Sequence, residues 1–107
     1  MTPKEIVELF YNDKTEYLQT CLDENSSIFV TDKTKSLNLN TGQKEIMAEI
    51  VDGILTDVYY SILLGIDDCA SIGRYQNTYK LYDENNNLIT NGGELEGHVW
   101  EFFHNQK

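Results

Sequence analysis

The pattern of apolar and polar positions divides the chain into a helical first part and a second part that reads as strands. Ile6, Val7, Leu9 and Phe10 form an apolar cluster behind Thr2-Pro3-Lys4-Glu5. There Thr2 can cap a helix, Pro3 suits its first position and Glu5 closes a capping box. Asn12-Asp13 interrupts the pattern. Asp13, with Glu16 three residues on, is expected to cap a second short helix whose buried stripe is Tyr17, Leu18, Cys21 and Leu22. Asp23-Glu24-Asn25-Ser26 is a polar turn, and the β-branched and aromatic run 27–32 predicts a strand. Residues 32–40 read as a loop or weak hairpin with Leu37 and Leu39 turned inward. Thr41 is the expected cap of a third helix. In it Ile46, Met47, Ile50, Val51, Ile54 and Leu55 recur at the clearest helical spacing of the chain, and Gly53 weakens the last turn.

Beyond that helix the apparent period shortens to two. Residues 58–66 are nearly all apolar and predict a strand buried on both faces. Asp67-Asp68 turns the chain. Residues 70–82 alternate, with Ser71, Gly73, Tyr75, Asn77, Tyr79 and Leu81 on one face and Ile72, Arg74, Gln76, Thr78 and Lys80 on the other. The first set has more bulk and is expected to face the helices. Asp83-Glu84-Asn85-Asn86-Asn87 is a hairpin turn of residues that tolerate positive φ. Residues 88–103 return as a strand, with Asn91-Gly92-Gly93 a bulge or kink. The order implies an α+β fold of one domain, residues 1–107. N-terminal helices would pack in the concave face of one strongly curved, mostly antiparallel sheet, a cystatin-like cone with a pocket.

Composition narrows the partners. Hydrophobic residues at 40% and aromatics at 11% fit a globular chain rather than a disordered one. Eight Lys+Arg against 18 Asp+Glu give a net charge of −10, which argues against nucleic acid or an anionic membrane surface as partner. It keeps open an acidic inhibitor or immunity-type protein acting through its surface, although the acids are scattered rather than laid in one stripe. No apolar run is long enough to span a bilayer, and the N-terminus has no basic region followed by an apolar core, so a cytoplasmic location is expected. Cys21 and Cys69 lack Cys-x-x-Cys or Cys/His spacing and read as small buried or half-buried thiols. With only His98 and His104, no phosphate loop and no hydrolase order, neither a metal nor a cofactor is implied.

Three stretches resemble the nuclear-transport-factor-2-like superfamily, which includes ketosteroid isomerases and SnoaL-like cyclases. Residues 6–30 are similar to its helix, polar break, helix, turn and strand. Thr41-Gly42-Gln43-Lys44-Glu45-Ile46 resembles the glycine-led start of its third helix, and Gly97-His98-Val99-Trp100-Glu101-Phe102 its penultimate strand. The family's final strand would follow the turn at Asn105-Gln106-Lys107 and is missing here. The resemblance implies the cone fold, a homodimer through the open sheet face, and a small apolar or aromatic molecule in the cavity.

It also implies candidate chemistry. A ketosteroid isomerase uses a carboxylate base and hydrogen-bond donors to the oxyanion. The resemblance puts Asp32 at the base position and His98 at an oxyanion position, while Tyr11 falls out of register with the remaining donor. His98, Trp100 and Phe102 would share a strand face, and Tyr75 with Tyr79 would line the pocket. Two readings follow: a small-molecule-binding or dimerisation module, or a cofactor-independent isomerase or cyclase with Asp32 as base and His98 and a pocket Tyr as donors.

Overall fold

Four helices, not a cone, organise this chain: α1 (Pro3–Leu22), α2 (Phe29–Ser36), α3 (Thr41–Ile66) and α4 (Glu94–Phe103). A computed structural model describes residues 1–90 and 93–104. Among these residues the only β-pairing is two isolated antiparallel bridges, Ile72 with Tyr75 and Tyr82 with Leu88. The α+β cone with its curved sheet is therefore overturned by an all-helical fold, and the sheet face expected to form a dimer does not exist. The kink expected at Asn91-Gly92-Gly93 and the turn at Asn105-Gln106-Lys107 fall largely outside the described residues; Gly93 alone is described, at φ +94°.

The N-terminal signals hold, with one change. Thr2 caps α1 by accepting from Glu5 N at 3.2 Å, and Pro3 opens the helix. The expected break at Asn12-Asp13 does not occur, and α1 runs 20 residues without interruption. Asp13 is not a cap: its Oδ2 accepts a 2.7 Å hydrogen bond from the Tyr59 hydroxyl of α3. Asn40 rather than Thr41 caps α3, in a reciprocal box with Gln43.

Helix replaces all or part of three predicted strands. Residues 58–66 continue α3, because the spacing read at Ile46, Ile50 and Ile54 runs on through Val58 and Ile62. A short apolar run is ambiguous between buried strand and buried helix, and the longer register decides it. In the stretch expected as the returning strand, Leu95, Val99 and Phe103 are buried at a spacing of four, the signature of a helix face. In the first predicted strand, the Thr31 hydroxyl donates to the carbonyls of Thr20 and Cys21, both at 3.1 Å, which anchors α2 to the open C-terminal end of α1.

The core is built where α1, α4 and the second half of α3 meet. Val7, Leu63, Leu95, Val99 and Phe103 are buried there with Ile89 from the connecting segment, and Phe10, Tyr11, Tyr59 and Phe102 pack around them. Residues 71–80 are exposed throughout, so the alternation there does not mark a half-buried strand. The turn at residues 83–87 forms as expected, with Asn86 at φ +63° and the Asp83 carboxylate accepting from the backbone N–H of Asn85 and Asn87 at 2.9 Å. The radius of gyration is 16.4 Å; a compact chain of this length has about 13 Å. The excess comes from α3, whose 26 residues extend roughly 39 Å, well past the core.

Candidate functional site

The residues expected to carry chemistry are not brought together. Asp32 is exposed in the first turn of α2, a helix that packs on α1, while His98 is on α4 with its Nδ1 4.0 Å from Glu101 Oε2. The strand face proposed for His98, Trp100 and Phe102 does not form. On a helix, positions two apart point to opposite sides. Phe102 turns inward against the Tyr11 ring, at 5.7 Å between centroids, whereas Trp100 is 53% exposed and stacks on His104. Tyr75 and Tyr79 lie in the exposed segment after α3 and line no cavity with the others. The arrangement assigned to an isomerase or cyclase is thus missing from the fold.

Other reactive side chains are held in structural roles. Cys69 is exposed rather than half-buried as expected, but partial desolvation of its thiol, and then the Glu96 carboxylate 3.3 Å away, push it up to about 11, so it stays protonated at neutral pH and is a poor nucleophile. The Tyr59 hydroxyl is raised to about 12, first by its hydrogen bond to Asp13 and then by burial, and acts as a fixed donor between α1 and α3. Lys14, 7% exposed, places Nζ 2.7 Å from Asp52 Oδ1 across the same seam. Among the described residues no group of three or more His, Cys, Asp or Glu is placed to hold a metal ion, and no helix is long and apolar enough to cross a membrane.

What the fold does present is surface. Ile46, Ile50, Ile54, Val58 and Ile62 are spaced four apart along α3, each 47–58% exposed. They form one ridge about 24 Å long that winds roughly 160° about the helix axis, so that Ile54 is at its middle and Ile46 and Ile62 face away from each other. Glu45, Glu49 and Asp57 are exposed on the same helix. Sequence reasoning found the helix from these positions and took their periodicity as core. The missed signal was the width of the apolar arc in the first half of α3, about half the circumference from Ile46 to Leu55, wider than the roughly 100° stripe that one packing face uses.

The second feature is a groove of about 820 Å³ between α2, the C-terminal end of α1 and the first half of α3. Its floor is Leu22, Val30, Leu39, Met47 and Val51. It exists because α2 is fastened to α1 through the Thr31 hydroxyl and stands off α3. Lys44 Nζ reaches Glu24 Oε1 at 2.8 Å across one side. None of the six residues singled out from sequence lines it. No family model, no curated protein and no solved structure matches the chain.

Proposed function

We propose that the chain is a non-catalytic dimerisation module whose interface is the outer face of α3, with a second copy of itself as occupant. The observation that carries this reading is the row Ile46, Ile50, Ile54, Val58 and Ile62, left half-exposed along the longest element of the fold. An apolar strip of several hundred Å² is at the upper end of what a monomer leaves uncovered. Its geometry suits self-association. Side chains at a spacing of four form a ridge, and such ridges on two identical helices interlock at a crossing of about −50°. A two-fold axis near Ile54 would make the contact isologous and closed. A standard interface needs about 800 Å² per partner; the middle of the ridge around Ile54 supplies its apolar centre, and the ends of the ridge with the polar flanks of α3 its rim.

A cytoplasmic location is part of this reading, supported by the two unbridged thiols, Cys21 and Cys69. The acids on α3 favour a second occupant, a basic protein with an apolar surface edged by Lys or Arg. Light scattering on a size-exclusion column separates the two. At micromolar concentration the native chain is expected to run at twice its 12.3 kDa mass, and Ile54→Asp to run as a monomer with an unchanged helical spectrum. A native monomer overturns the dimer and leaves this face to the basic partner; an Ile54→Asp variant that stays dimeric overturns α3 as the interface.

A further inference from the structure

We infer that the groove between α2 and α3 is a binding site for an aliphatic monocarboxylate, a fatty-acid-like amphiphile with its tail on the apolar floor and its carboxylate at Lys35. The site is independent of the dimer, since the groove is complete within one chain.

The volume is the first support. About 820 Å³ lies inside the range of small-ligand sites, roughly 300–1,000 Å³. The second is the distribution of polarity. Val30, Leu39, Met47 and Val51 make the floor apolar, and none of them carries a group that would orient a polar ligand. Charged groups sit at the margin: Lys35, Lys44, Glu24 and Glu45. Lys44 and Glu24 neutralise each other at 2.8 Å. Lys35 makes no ion pair among the described residues; its Nζ reaches only the Ser26 carbonyl, at 3.5 Å. An anionic head complements this lysine best, and Lys44 adds a second cation if its exposed pair with Glu24 opens. Such exposed pairs hold by at most about 1 kcal/mol. Glu45 also lines the groove, and its carboxylate disfavours a second negative charge, which favours a single carboxylate over a dicarboxylate or a phosphate monoester.

The third support is how α2 is held. Its anchor is polar, the Thr31 hydroxyl on two carbonyls of α1, so α2 keeps its place whether or not the groove is filled. Apolar walls held apart by a hydrogen-bonded post lose contact with one another, and an alkyl chain restores it.

Dodecanoate and dodecanol, both below their aggregation concentrations, are the probes, titrated into isotopically labelled protein and followed by amide NMR and calorimetry. Dodecanoate is expected to saturate with shifts at Val30, Met47 and Val51. Lys35→Glu is expected to weaken it about tenfold while changing dodecanol binding less than twofold. Ala48→Trp, which puts an indole into the groove, is expected to abolish binding of both. Lys35 is exposed, so its substitution leaves the fold intact and keeps the test valid even if Ala48→Trp unfolds. Three outcomes overturn the proposal: no saturable binding of dodecanoate, equal loss of both probes on Lys35→Glu, or shifts confined to Ile54, Val58 and Ile62. Failure of the dimer would leave the groove shifts unchanged, so the two readings fail separately.

Discussion

At the scale of single residues, the seam between α1 and α3 shows which polar groups matter. Lys14 is buried and the Asp52 side chain is about 40% exposed, but the Oδ1 that meets the ammonium is shut off from water, so only the far side of the carboxylate is wet. Removing the carboxylate strands a buried ammonium. Asp52→Ala is therefore expected to cost about 1–3 kcal/mol, less than a fully buried pair because water reaches the carboxylate. Lys14→Met keeps the apolar stem and leaves the Asp52 carboxylate to its hydrated oxygen, with Oδ1 unpaired, and is expected to cost less than Asp52→Ala, about 1 kcal/mol. Urea midpoints at constant slope compare the two. Asp83 is a different case. Its carboxyl is held far below the usual range, first by the Asn87 backbone N–H and then by the Met1 ammonium, with Asn85 N–H also donating. A carboxyl whose folded pKa is depressed stabilises the fold above its unfolded value, about 3.9, and loses that contribution as pH falls toward the folded value. The gap in melting temperature between the native chain and Asp83→Ala is thus expected to be constant from pH 5 to 7 and to narrow steadily below about pH 4. A gap independent of pH would contradict the depressed carboxyl.

At the scale of elements, the glycines and α4 distinguish helix from strand. A Cβ at Gly53 or Gly97 meets nothing within 4 Å, whereas one at Gly65 collides with Cγ1 and Cδ1 of Ile72. Gly53→Ala and Gly97→Ala are expected to stabilise the chain by about 0.5–1 kcal/mol each, through helix propensity. Gly65→Ala is expected to cost about 1–3 kcal/mol, through overpacking. In α4, Leu95 is fully buried and Trp100 is 53% exposed. Leu95→Ala is expected to cost about 2–5 kcal/mol. Trp100→Ala should cost under about 1 kcal/mol, the reverse of what a strand with Trp100 facing the core would give. These positions also show what was legible. The caps at Thr2, the periodicity from Ile46 to Leu55 and the turn at Asp83 follow from local chemistry, and all three appear in the fold. The second half of α3 was masked by Val58, Tyr59, Tyr60 and Ile62, residue types that favour strands and stay helical because the register of the first half carries through them. Gly97 hid the spacing of Leu95, Val99 and Phe103. For α2, the deciding fact is the Thr31 hydroxyl on the end of α1, a contact 10 or 11 residues away that no local pattern announces. The groove depends on that contact and was invisible for the same reason.

At the scale of the whole molecule, the length of α3 and the charge of the chain act against each other. In the proposed dimer the apolar ridge of α3 drives association, and the net charge of −10 opposes it between identical copies. Near the row the opposition is local: Glu45, Glu49 and Asp57 are exposed on α3, and an α3–α3 crossing at Ile54 brings Asp57 of each copy toward the other. The two terms respond differently to salt. Screening shortens the reach of the repulsion from about 30 Å at 0.01 M to about 8 Å at 0.15 M. Apolar burial is insensitive to salt over that range, so added sodium chloride is expected to tighten the dimer. An association driven by acid–base pairing with a basic partner would weaken instead, since screening then removes attraction. Dissociation constants from sedimentation equilibrium at 0.01, 0.05 and 0.15 M salt therefore carry a sign as well as a magnitude. A constant that falls across the series, and falls less steeply in Asp57→Asn, assigns the repulsion to the α3 face. A constant that rises with salt would mean that ion pairs, not the isoleucine row, hold the copies together.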